Sequence, residues 1–189
     1  MLALLIGMIT VLTASGCGLQ TDEANKALGV AMKHQEAAEQ ALARIKNFPA
    51  EWSAVFAGPR TAAQIAQIQQ IVAAREADTD TFDNELKAEE AALRPIVKLN
   101  VDDKVREFVS LKLAAVSSYR DYVSGDLVPL LKSYEGLVQQ IAYSRPQAEL
   151  NQAAAEILGM AAEAQGKLEE AMSAARQADD YFKDNKLGR

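Results

Sequence analysis

The sequence predicts an all-α protein, a long antiparallel up-down-up-down four-helix bundle, and three observations carry the prediction. Beyond residue 20 the chain is rich in Ala, Gln, Glu, Leu and Lys and poor in aromatic and β-branched residues, a composition that favours helix almost throughout. Apolar residues recur at three- and four-residue spacing over four segments, the period of a helix with one buried face. Helix breakers are few, and most fall between those segments.

The first helix is predicted from Thr21, whose hydroxyl can cap free amides, to about Lys46, with Asp22 and Glu23 in the positive first turn. Its apolar stripe runs through Leu28, Ala31, Gln35, Ala38, Leu42 and Ile45. From Asn47 to Gly58 a short helix or ordered corner is expected, with Pro49 in its first turn and Trp52, Val55 and Phe56 closing one end of the core. The second long helix starts at Thr61, where Thr61 and Gln64 have capping-box spacing. It continues to about Leu99 along Ile65, Ile68, Val72, Thr79, Phe82, Leu86, Leu93 and Ile96, with Pro95 expected to kink it or end it early.

The third helix is predicted from Asn100 to Tyr143, with Asp102 and Asp103 in its first turn. Its stripe is Val109, Leu113, Val116, Val123, Leu127, Leu130, Tyr134, Leu137 and Ile141, and Gly125 and Pro129 predict a bend in its middle. The fourth opens at Ser144, Pro146 and Gln147, carries Leu150, Ile157, Ala161, Ala164, Leu168, Ala171, Ala175 and Phe182, and frays near Asn185. Each of the last three helices rises roughly 55 to 65 Å at about 1.5 Å per residue, and the short links between them force antiparallel neighbours. A three-helix bundle with a loosely docked N-terminal helix is the alternative. Residues 21–189 read as one domain.

Ahead of that domain, the uncharged apolar segment from Leu2 to Leu12 leads into Thr13, Ala14, Ser15, Gly16 and Cys17, the only cysteine of the chain. The run resembles a bacterial lipoprotein signal, in which small residues precede the cut and the cysteine thiol takes the lipid. Position −3 holds Ala14 where Leu is usual, and no Lys or Arg precedes the apolar segment. About 11 apolar residues suit a signal segment and are too few to span a bilayer as a helix. The resemblance implies a signal peptide over 1–16 that is removed, a lipidated N-terminus and tether over 17–20, and Cys17 as a palmitate-bearing anchor. Gly18, where many lipoproteins kept in the inner membrane have Asp, implies the outer membrane in a cell that has two.

Composition narrows the function. The formal net charge is −6 and all charged side chains lie from Asp22 onward, interspersed, so no basic stripe is available for nucleic acid or anionic headgroups. With no second cysteine, stability must come from packing rather than disulfides. A Gly-rich phosphate loop, the H-E-x-x-H, C-x-x-C-H and G-x-S-x-G motifs, and paired Glu-x-x-His motifs are all absent, and His34 is the only histidine. No enzyme, cofactor or metal is therefore expected.

One constellation could carry binding. Folding the helices about turns near positions 100 and 145 puts Arg120 opposite Asp80 on the second helix and opposite Glu169 and Glu170 on the fourth, with His34 and Gln35 at the same level. These residues would form a polar layer, read first as ion pairs that fix helix register and second as a pocket for an anionic or polar ligand. Arg75 and Glu89 also interrupt the second stripe. Tyr119, Tyr122, Tyr134 and Tyr143 cluster on the third helix, most simply as core and rim. Taken together, the sequence reads as a lipid-anchored cell-envelope protein, facing the periplasm or cell exterior, whose bundle is a structural or protein-interaction module with an envelope protein as its partner. A ligand-binding or sensory bundle built on the Arg120 layer is the alternative.

Overall fold

Apolar spacing decides which face of each helix turns inward in the computed structural model, which describes residues 20–56 and 61–187. Helix α1 (Thr21–Lys46) buries Ala24, Ala31, Ala38, Ala41, Leu42 and Ile45. Its N-cap is Gln20 and not Thr21, and no side chain caps it. The Gln20 amide donates to the Asn100 carbonyl at 2.8 Å, and the Asn100 amide donates to Gln20 Oε1 at 3.0 Å. The start of α1 is thereby stitched to the corner between the next two long helices.

Helix α2 (Phe48–Phe56) forms the expected corner. Phe48 and Trp52 are buried, and both rings meet Tyr134 edge-on at centroid distances of 4.8 and 4.4 Å. Helix α3 (Ala62–Leu93) is capped by the Thr61 hydroxyl, which accepts from the Gln64 amide at 3.2 Å. Only half of the capping box forms, because the Gln64 side chain donates to the Val55 carbonyl at the end of α2. Pro95 sits in the first turn of a 3₁₀ segment, Arg94–Lys98, so the second helix ends early as its proline predicts.

Helix α4 (Asp103–Tyr122) opens on Asp102, whose carboxylate accepts from the Lys104 amide at 2.8 Å. It passes through one π turn, Val123–Leu127, into α5 (Val128–Ala142). Pro129 has no N–H for the carbonyl one turn back, and the wider π turn absorbs that gap, with the Val128 amide reaching the Val123 carbonyl. The expected bend at Gly125 and Pro129 is thus a local change of helix type. A turn with Ser144 at φ +54° leads into α6 (Gln147–Asp184).

The four long rods form an antiparallel bundle. Helix α1 runs along α3 from the Gln20–Asn100 contact to the Arg44–Asp78 ion pair at 2.6 Å, so it is docked over its whole length rather than loosely. Helices α4 and α5 pack on α6, and α3 contacts both α4 and α5. The alanines of α1 and α6 that reach zero exposure, Ala41, Ala171 and Ala178, allow close helix approach. Tyr122 and Tyr134 are buried, Tyr119 packs edge-on against Phe82 at 5.6 Å, and Tyr143 is exposed at the α5–α6 turn. No helix among the described residues is long and apolar enough to cross a membrane.

Candidate functional site

The core is not continuous. One apolar cluster fills the α2 end and the middle of the bundle, with Leu42, Phe82, Leu86, Val116 and Leu168 at its inner boundary. A second fills the Gln20 end, around Ala31, Leu93, Ile96 and Val109. Between them each of three helices contributes a polar residue where its stripe calls for an apolar one. Gln35 lies between Ala31 and Ala38 on α1, Glu89 between Leu86 and Leu93 on α3, and Lys112 between Val109 and Val116 on α4.

Glu89 is 3% exposed and Lys112 7%. The Lys112 ammonium donates to Gln35 Oε1 at 2.7 Å and lies 3.7 Å from Glu89 Oε1. Gln35 in turn donates from Nε2 to Glu39 Oε1 at 2.8 Å, which leads the polar chain out to the surface. Burial pushes the Glu89 carboxyl above its ordinary range, and the Lys112 charge opposes that shift without cancelling it. Burial also pushes the nearby Tyr119 hydroxyl up to about 12, with Glu39 and Asp179 adding to the effect.

On the rim of the layer, His34 Nδ1 lies 2.7 Å from Glu85 Oε2. Arg120 Nη1 donates to Glu90 Oε2 at 2.6 Å, and its Nε is 3.7 Å from Asp83 Oδ1. The hydrogen bond from Arg94, with Arg120 adding to it, holds the Glu90 carboxyl below the usual range. Nearer the α2 end, Arg75 donates to the Arg44 carbonyl at 2.7 Å and pairs with Asp78 at 2.9 Å and Glu51 at 3.4 Å, pinning the end of α1 and the corner helix to α3.

The grouping of His34, Asp80, Arg120, Glu169 and Glu170 expected from register counting is not what the structure brings together. Arg120 does meet α3 carboxylates, but they are Glu90 and Asp83, while Asp80 is exposed. The register about position 100 is as counted, since Glu89 meets Lys112 and Phe82 meets Tyr119, but the rotation that buries Thr79 and Phe82 turns Asp80 to solvent. Glu169 accepts from Gln165 at 2.7 Å and Glu170 from Lys167 at 2.9 Å, both on the exposed face of α6. Their level along the bundle suits Arg120, but the buried neighbours Leu168 and Ala171 turn them outward. His34 and Arg120 are kept apart by α3 itself. At about 100° per residue, Glu85 projects from nearly the opposite side of that helix to Asp83 and Glu90.

Glu89 is legible in the sequence as an interruption of its stripe, whereas Lys112 is hidden. The stripe of α4 can be drawn through Leu113 equally well, yet Lys112 is the buried residue and Leu113 is half-buried. The Arg120 guanidinium hydrogen-bonds Glu90 through Nη1 and lies beside Asp83, while its Nε is buried without a hydrogen-bond partner. No group of three His, Cys, Asp or Glu side chains among the described residues could hold a metal. The layer is chemically a buried ion pair with an amide relay, suited to fixing how four similar stripes align. Cys17 lies outside the described residues. Comparison with protein-family models, curated proteins and solved structures finds no match for this chain.

Proposed function

We propose that the chain is a lipid-anchored protein of the bacterial cell envelope whose helical bundle acts as a structural or protein-interaction module. The observation that carries this reading is the run Thr13-Ala14-Ser15-Gly16-Cys17 behind an uncharged apolar segment. Two features of the domain support it. Cys17 is three residues from Gln20, so a lipid there would hold the Gln20–Asn100 end within about 10 Å of the membrane surface. The long axis of the bundle then carries the α2 corner and the α5–α6 turn away from that surface. The polar layer also serves packing, because the Lys112 ammonium is held by Gln35 and lies against Glu89. Such a domain acts through its outer faces.

The test is Cys17→Ser, which removes the only thiol able to take the lipid. The precursor is expected to remain unprocessed, or its product to leave the membrane fraction, and normal cleavage with normal membrane retention would sink the reading.

A further inference from the structure

Four pieces of chain meet at the Gln20 end of the bundle: the start of α1, the 3₁₀ corner with its following loop, the start of α4 and the end of α6. Ile96, Val101, Val105 and Leu187 close the core beneath them. The last turn of α6 ends in a Schellman pair of bonds, the Leu187 amide donating to the Phe182 carbonyl at 3.2 Å and the Lys186 amide to the Lys183 carbonyl at 3.1 Å. Lys186 thereby takes φ +54°, a conformation that favours glycine, at the edge of this end. Lys98 closes the 3₁₀ corner and Lys104 lies in the first turn of α4. All three lysines are exposed, and none has an ion pair among the described residues.

Most of the acidic groups at this end are occupied. Asp102 caps α4, Asp103 pairs with Arg106 at 2.6 Å, and Glu23 accepts from the Gln20 amide side chain at 3.3 Å. Asp22 and Asp184 remain, and Asp22 answers the positive first turn of α1. The end is therefore locally cationic in a chain whose formal net charge is −6. Along the sequence these lysines form no stripe, because the fold collects them from three separate elements. Between Arg94 and Lys98 the corner also exposes Pro95 and Val97, the latter at 39%, while Ile96 is wholly buried. An apolar knob flanked by ammonium groups suits a lipid–water interface, where the knob enters below the phosphates and the charges stay level with them.

We infer that the Gln20 end is itself a contact surface for an anionic lipid leaflet, with Pro95 and Val97 in the headgroup interface and Lys98, Lys104 and Lys186 on the phosphates, so that the bundle stands end-on. Where the chain leads decides the occupant. Cys17 is three residues before Gln20, so a lipid there presents this end, and no other face, to the membrane within about 10 Å. Each lysine near an anionic surface is worth roughly a fivefold gain in occupancy, and a tether multiplies so weak a contact by its high effective concentration. This inference rests on the lipid-anchor part of the proposed function, to which it adds a second contact and a fixed orientation.

Because Cys17 is the only thiol, the full chain made in a cell-free system can be tethered through it to maleimide-bearing lipid in nanodiscs, whether or not cells lipidate that residue. Gadolinium-headgroup lipid then enhances the relaxation of valine methyl NMR signals close to the surface. On discs of phosphatidylglycerol and phosphatidylcholine, Val97 is expected to be strongly enhanced and Val138, near the far end of α5, untouched. The triple variant Lys98→Gln/Lys104→Gln/Lys186→Gln, discs of phosphatidylcholine alone, and 0.5 M salt should each cut the Val97 enhancement at least threefold, with the helical CD signal unchanged. The same enhancement in the variant and on phosphatidylcholine would mean that the tether alone brings this end near, and would overturn the contact surface. Equal enhancement of Val97 and Val138 would overturn the end-on stance. Failure of the anchor reading is seen separately: a Cys17→Ser chain processed and retained normally in cells would remove the natural lipid while leaving the behaviour of the coupled chain to be read by itself.

Discussion

Replacing Lys112 by Met and Glu89 by Leu, singly and together, tests whether the buried layer is a coupled ion pair. Met keeps the unbranched stem of Lys112 and its packing between Val109 and Val116, so the change isolates the loss of the ammonium. Glu89, 3% exposed, then loses the ammonium it is paired with, and Gln35 Oε1 loses its donor. Breaking a buried pair from one side costs about 3–5 kcal/mol. Glu89 can limit the penalty by taking up a proton, so the expectation for Lys112→Met is about 3 kcal/mol at pH 8 and less at pH 5. In a domain of this size that is a fall in Tm of roughly 6–12 °C. Glu89→Leu alone leaves Lys112 its bond to Gln35 and should cost about 2 kcal/mol, between a lost hydrogen bond and a stranded charge. The double variant replaces both charges by apolar groups on a stripe that favours them, and should lie within about 1 kcal/mol of wild type. Urea unfolding followed by far-UV CD gives the cycle. Single effects that add to within about 0.5 kcal/mol would show that the two charges are not coupled and refute the reasoning.

The raised Glu89 carboxyl makes a separate prediction about pH. Below its ordinary value of 4.5 both the folded and the unfolded chain hold the proton, and above it the unfolded chain releases it first. Stability contributed by the neutral carboxyl is therefore lost as pH rises from about 4.5 through the native value, so wild type should weaken relative to Glu89→Gln over that window, as paired urea melts would reveal. Gly159 and Gly166 lie inside α6 on its exposed side, where an added Cβ meets nothing within 4 Å; Gly→Ala at each should stabilise by about 0.5–1 kcal/mol, and a destabilised variant in thermal melts would contradict that geometry. Phe82, 2% exposed and packed on Tyr119, should cost about 3–5 kcal/mol as Phe82→Ala, whereas a loss below 1 kcal/mol would mean the middle of the core can collapse around the gap.

Helix number, order and inward faces were determined by the sequence, since they depend on local chemistry. The stripe through Ala31, Ala38, Leu42 and Ile45 is buried on α1, that through Ile68, Val72, Phe82, Leu86 and Leu93 on α3, and Thr61 caps the helix that follows it, whereas the third helix begins at Asp103 with Asp102 as its cap and not near Asn100. Pro95 and Pro129 each mark a departure from α-helix because a missing N–H acts within one turn. Pairing between helices obeys a different logic. The rotation of α3 turns Asp80 to solvent and gives Arg120 to Glu90 and Asp83, and the same rotation sends Glu85, on nearly the opposite side of the helix, to His34. Whether Lys112 or Leu113 is the inner residue of α4 depends on what faces it, and only the assembled bundle supplies Gln35 and Glu89. The hollow between α3 and α5 lined by Val72, Ala73 and Val138 is likewise invisible along the chain, because its walls lie more than fifty positions apart. Patterning with a period of a few residues fixes which side of a helix is apolar, while axial register and rotation are set by contacts between helices, and those are properties of the tertiary structure alone.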